Sequence, residues 1–65
     1  MTEYLEEMLG YGDLLILATW EQGFSVEVGR YDAGDFSAFW AGYGATLDVA
    51  IVDCLDKMTK PQRGL

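Results

Sequence analysis

Three apolar runs between residues 13 and 41 settle most of what this chain can fold into. The middle one, Phe24-Ser25-Val26-Glu27-Val28, alternates strictly. A period of two is that of a strand, with Phe24, Val26 and Val28 turned to a core and Ser25 and Glu27 turned out. Asp13 to Trp20 reads as a strand rich in Leu and Ile and is too short for a second helix. Phe36 to Ala41 reads as a third strand, ended by Gly42-Tyr43-Gly44. Glu21-Gln22-Gly23 and Asp32-Ala33-Gly34-Asp35 are connections of hairpin length, each with a glycine for a positive φ. The runs therefore predict an antiparallel meander.

Helical periodicity brackets these runs. Thr2 can cap a short helix with Glu3 in its first turn, Tyr4, Leu5, Met8 and Leu9 on one face and Glu3, Glu6 and Glu7 on the other. Gly10-Tyr11-Gly12 ends it. Thr46 caps the better-defined helix, in which Leu47, Ala50, Ile51, Cys54, Leu55 and Met58 follow the stripe of a half-buried element. Asp48 in its first turn and Lys57 in its last suit the helix dipole, and Asp53 and Lys57 form an i, i+4 pair. Lys60-Pro61 stops it. The expected fold class is α+β, α-β-β-β-α, a three-stranded antiparallel meander with two helices packed on one face. Residues 1–60 form the single small domain and 61–65 a flexible basic tail.

That packing leaves one face of the sheet uncovered, where alternation should be clean. Only the middle strand alternates. Strand one is apolar on both faces, with Leu14, Ile16 and Ala18 against Leu15 and Leu17. Strand three sets Phe36, Ala38 and Trp40 against Ser37, Phe39 and Ala41. Three readings follow: burial of strand one by the helices and loop ends, self-association through the open face or an edge, and an outside partner.

Size and charge narrow the function. A chain of 65 residues buries only about 60% of its unfolded surface. It has one cysteine and no histidine, so an internal disulfide and a His-built metal site are excluded. Catalysis lacks its usual base, and Cys54 lies on an apolar stripe where a thiol is inert packing. Asp32-Ala33-Gly34-Asp35 lacks the ligand spacing of a calcium loop. No enzyme, cofactor or metal is expected. All eleven acids lie in residues 1–56 against Arg30 alone, for −10 before the tail and −7 overall. Such a body repels nucleic acid and anionic membrane and is steered to basic protein surfaces. The longest apolar run, Leu14 to Ala18, is too short to span a bilayer. No signal peptide is read at Met-Thr-Glu-Tyr, and the lone thiol suits a reducing cytoplasm.

The element order resembles the double-stranded-RNA-binding domain. Phe24-Ser25-Val26-Glu27-Val28 sits where that family has its second-strand Phe-x-Val-x-Val, Gly42-Tyr43-Gly44-Ala45-Thr46 resembles its Gly-x-Gly-x-Ser, and Ala50 matches a small packing alanine. The family's phosphate-gripping lysines do not carry over: those positions read Leu47, Asp48 and Ile51, and an aspartate repels phosphate. The run Gly44-Ala45-Thr46-Leu47-Asp48-Val49-Ala50 is also similar to the helix start of small antitoxin domains. In character, a very short, acidic, aromatic-rich chain resembles phage-encoded inhibitors of bacterial defence, including anti-CRISPR proteins. That likeness implies a bacterial host cytoplasm and a mechanism in which carboxylates occupy a basic nucleic-acid channel.

The expected function is thus a small acidic non-enzymatic binding protein, an inhibitor that occupies a basic surface of a CRISPR or other nucleic-acid-handling complex. The alternative is a homodimeric or accessory subunit joined through the open face of the sheet. Glu3, Glu6 and Glu7 form one acidic row, since side chains three or four apart are neighbours on a helix, and Asp48, Asp53 and Asp56 form a looser one. Asp32 and Asp35 add charge at a sheet end. Trp20, Tyr31 and Phe39 are candidate anchors at an interface, where aromatic residues dominate the energy. Trp40 is expected to be more buried than Trp20, with one tryptophan central to the core, and Arg30 is expected in an internal ion pair.

Overall fold

In the computed structural model, which describes residues 2–59, the strands are β1 (Asp13–Thr19), β2 (Gly23–Asp32) and β3 (Asp35–Gly44). They form one antiparallel sheet in the order β1-β2-β3, flanked by α1 (Thr2–Leu9) and α2 (Leu47–Thr59). The α-β-β-β-α order of an α+β fold is as the sequence predicts. The tail at 61–65 and the Lys60-Pro61 stop lie outside the described residues.

The register places Leu14, Ile16 and Ala18 beside Val28, Val26 and Phe24, and these beside Trp40, Gly42 and Gly44. Residues paired across antiparallel strands share a face. Met8 of α1 and Ala50, Ile51 and Cys54 of α2 meet Val26 and Val28 there in one fully buried core, so both helices cover the same side. Leu5, Leu14, Phe24, Trp40, Leu47, Leu55 and Met58 pack around it. The alternation of β2 and the stripe of α2 thus do what their periods predict. Thr46 caps α2 as expected, its Oγ1 accepting the Val49 N–H at 3.3 Å. No tryptophan is central, however: Trp40 is half-buried at the margin, and the core is built from smaller side chains.

Two departures concern β3. It does not stop at Gly42 but runs on to Gly44. α2 lies against this stretch so closely that a Cβ on Gly42 would fall on the Cys54 amide nitrogen and the Ala50 carbonyl oxygen. The glycines give the helix room and do not break the strand. The second departure is a bulge. Val28 pairs with Trp40 but Gly29 with Ala38, leaving Phe39 as the extra residue. The inserted residue flips the alternation, so Phe36 and Ala38 lie on the outer face and Trp40 on the helix side. Beyond Gly29 the β2–β3 ribbon continues past the start of β1 to a two-residue turn, Ala33 (φ 53°) and Gly34 (φ 89°).

Candidate functional site

α2 has a second face, opposite its core stripe. Asp48, Val52 and Asp56 follow one another at four-residue intervals along it, the spacing of stacked neighbours on a helix. Val49 and Asp53 form the adjoining row. These five side chains line an open depression. A second depression, between the helices, is lined by Tyr4 and Glu7 of α1 and by Val52, Leu55, Asp56 and Thr59 of α2. Val52 and Asp56 belong to both, so the two make one continuous surface. Its floor is apolar, with Val49 53% and Val52 50% exposed, and its rim carries Glu7, Asp48 and Asp56.

Asp53 has a different role from its neighbours. Its Oδ2 accepts the Tyr43 N–H at 3.0 Å and pairs with Lys57 Nζ at 3.1 Å. The backbone hydrogen bond, then Lys57, holds its carboxyl below the usual carboxylate range. Lys57 also donates to the Ala41 carbonyl at 3.0 Å and lies 5.4 Å from the Tyr43 ring centre. The expected i, i+4 pair is present, and it ties α2 to β3.

The other sequence-derived candidates are spread out. Glu3, Glu6 and Glu7 are exposed on α1, and only Glu7 reaches the shared surface. Asp32 and Asp35 face each other across the tip of the β2–β3 ribbon. Trp20 is 98% exposed in the β1–β2 turn, which Thr19 Oγ1 braces by accepting the Gln22 N–H at 2.9 Å. Tyr31, 61% exposed, lies on the ribbon. Phe39, 58% exposed, sits at the bulge edge-on to Trp40 at 6.0 Å. Asp56 lines one depression with Asp48 and the adjoining one with Glu7, and the aromatic candidates lie apart from both. Arg30 is exposed and has no ion pair among the described residues, contrary to the expectation of an internal one. No acid lies opposite it in the register, where its neighbour is Ser37.

Val49, Val52, Tyr4 and Leu55 were not among the candidates. Val49 and Val52 carry a signal that could have found them: they are apolar residues off the core stripe of an otherwise polar helix face. Cys54 is fully buried, and desolvation raises its thiol pKa, which keeps it protonated. Among the described residues no group of three or more His, Cys, Asp or Glu is placed to hold a metal ion. Among the described residues no helix is long and apolar enough to cross a membrane.

These observations define a small α+β domain whose distinguishing surface is an acid-rimmed apolar depression over its two helices. No protein-family model, curated protein or solved structure matches the chain.

Proposed function

We propose that the chain is a non-enzymatic binding protein that seats a basic, partly apolar protein surface on the outer face of α2 and the adjoining face of α1. One observation carries this reading: Asp48 and Asp56 flank Val52 on a single row of α2, and Glu7 of α1 lines the adjoining depression with Val52 and Asp56. Carboxylates beside exposed valines fit a partner that brings Lys or Arg together with apolar side chains. Eight residues of helix are about 12 Å long, so a partner helix with bases seven or eight apart matches Asp48 and Asp56. A surface of this kind is suited to occupy a cationic channel in place of a nucleic acid, as the likeness to phage-encoded inhibitors of bacterial defence implies. Asp48 at the start of α2 and the buried Ile51 support a protein partner over an RNA partner, because both stand where the RNA-binding family has lysines.

The test is calorimetric titration of the full chain with a helical peptide carrying lysines at seven-residue spacing and leucines between them. Binding is expected to weaken at least about tenfold between low and high salt, because Debye screening acts on exposed charges. Reversing Asp48 and Asp56 to lysine is expected to weaken it by at least about the same factor. Unchanged affinity in that double variant, with an unchanged circular dichroism spectrum, would refute the reading.

A further inference from the structure

The sheet has two edges, and among the described residues side chains guard a stretch of only one. At β3, α2 reaches over the rim: Asp53 takes the Tyr43 N–H, Lys57 takes the Ala41 carbonyl, and the two side chains pair with each other. The outward peptide groups of Ala41 and Tyr43, near the end of β3, are thus occupied by side chains. At β1 nothing comparable exists. From Leu14 to Ala18 there is no charge, no proline and no irregularity in the register with β2. Among the described residues no hydrogen bond reaches this stretch from outside the sheet. Ile16 is 42% and Leu17 47% exposed, on opposite faces of the strand. Sheets of folded proteins ordinarily blunt such an edge with lysine, proline, a bulge or a cover.

We propose that the chain forms a two-fold symmetric homodimer in which β1 pairs antiparallel with β1 of a second copy, joining the sheets into one of six strands. The strand is complementary to itself. An axis through Ile16 sets Leu14 opposite the second copy's Ala18 and Leu15 opposite its Leu17. Every cross-strand pair is then apolar, on the helix side and on the outer side alike. An axis normal to the sheet keeps all the helices on one side, so neither core is disturbed. The two copies carry like charge, −7 each. Their repulsion is screened by salt, so the dimer tightens as salt rises. That dependence is opposite in sign to the one expected of a basic partner on α2, and the inference does not rest on that reading.

The experiment is analytical ultracentrifugation of the full chain up to about 500 µM, at low and high salt, since dimer populations follow protomer concentration. A dimer mass is expected at the upper end, reached at lower concentration in high salt. Ile16→Lys and Leu17→Lys are each expected to weaken association at least about tenfold, with circular dichroism confirming the fold. Tyr43→Ser, on the guarded strand, is expected to leave association unchanged. Hydrogen exchange on the unmodified protein supplies a check that needs no variant: protection of the amides from Leu14 to Ala18 rises with concentration. A monomer at the upper concentration in both salts overturns the proposal. So does a dimer that Tyr43→Ser breaks, or one in which β1 amides show no protection that depends on concentration.

Discussion

Replacing Gly42 with alanine is the sharpest test of how this fold is held together, because two local rules give opposite signs. Glycine inside a strand costs roughly 0.5–1 kcal/mol relative to alanine, so at an unobstructed position Gly42→Ala would stabilise the protein. Here the added Cβ would meet backbone on α2, with the Cys54 Cα at 2.7 Å, where ordinary contact begins at 3.4 Å. Backbone cannot rotate out of the way as a side chain can, so α2 must retreat by about 1 Å. A gap of about 0.5–1 Å forfeits a quarter to a half of the dispersion energy of the atoms that face it. Those atoms are Ala50, Ile51 and Cys54, half of the six fully buried core residues. Overpacking typically costs about 1–3 kcal/mol, and with loosened packing of α2 added we expect about 2–3 kcal/mol. A chain of this length has roughly 3–10 kcal/mol in all. Tm should fall by roughly 10–20 °C, read by thermal and urea unfolding monitored by circular dichroism. Ser37→Ala, on an exposed stretch of the same strand, should stay within about 0.5 kcal/mol. A Tm for Gly42→Ala equal to or above that of the natural chain would refute the close approach of α2 to β3.

Two further outcomes are expected. Ala33 holds a φ of 53° beside Gly34 in a turn that favours Asn-Gly; Ala33→Asn should stabilise by about 0.5–1 kcal/mol and raise Tm by a few degrees, and a lower Tm would contradict the turn geometry. Asp53 has a carboxyl pKa lowered in the fold by the Tyr43 N–H and by Lys57, so its contribution is complete above the unfolded carboxylate range and is lost as pH falls through the lowered value; Asp53→Asn should therefore flatten the acid limb of the urea midpoint against pH, and an acid limb as steep as before would show that the contact contributes nothing.

The parts of the fold that could be read from the sequence are those whose signal is local. The stripe from Leu47 to Met58 and the Thr46 cap are properties of one helix, and the alternation of Phe24 to Val28 is a property of one strand. Gly42 and Gly44 carry no such local signal, because glycine in a short window signals a turn, whereas here it answers to a helix that returns from later in the chain. The bulge at Phe39 was invisible for a related reason. It exists only relative to β2, and without it Phe36, Ala38 and Trp40 would share a face. The candidate site divides the same way. The acids were legible as residue types, and the Asp53–Lys57 pair as a spacing. That Asp53 would turn to the edge of β3, while Asp48 and Asp56 kept to a row with Val52, follows from the side of α2 on which the sheet lies. That Glu7 would join them follows from how α1 meets α2.

The carboxylates separate into those the fold uses and those it carries. Asp13 accepts the Tyr31 N–H at 2.9 Å, Asp53 closes the β3 edge, and Glu27 accepts from the Ser25 hydroxyl at 3.4 Å. Glu3, Glu6, Glu7, Glu21, Asp32, Asp35 and Asp48 have no hydrogen bond or ion pair from their carboxylates among the described residues. Seven like charges on a domain with a core of six side chains repel one another and lower the stability of the compact state. Arg30 and Lys57, the described bases, do not offset the excess: Lys57 is committed to Asp53, Ala41 and Tyr43, and Arg30 has no ion pair among the described residues. A cationic partner would turn that repulsion into attraction. Glu7 and Asp48 can then be reversed in charge without removing any contact that holds the sheet, which makes binding at this surface separable from folding.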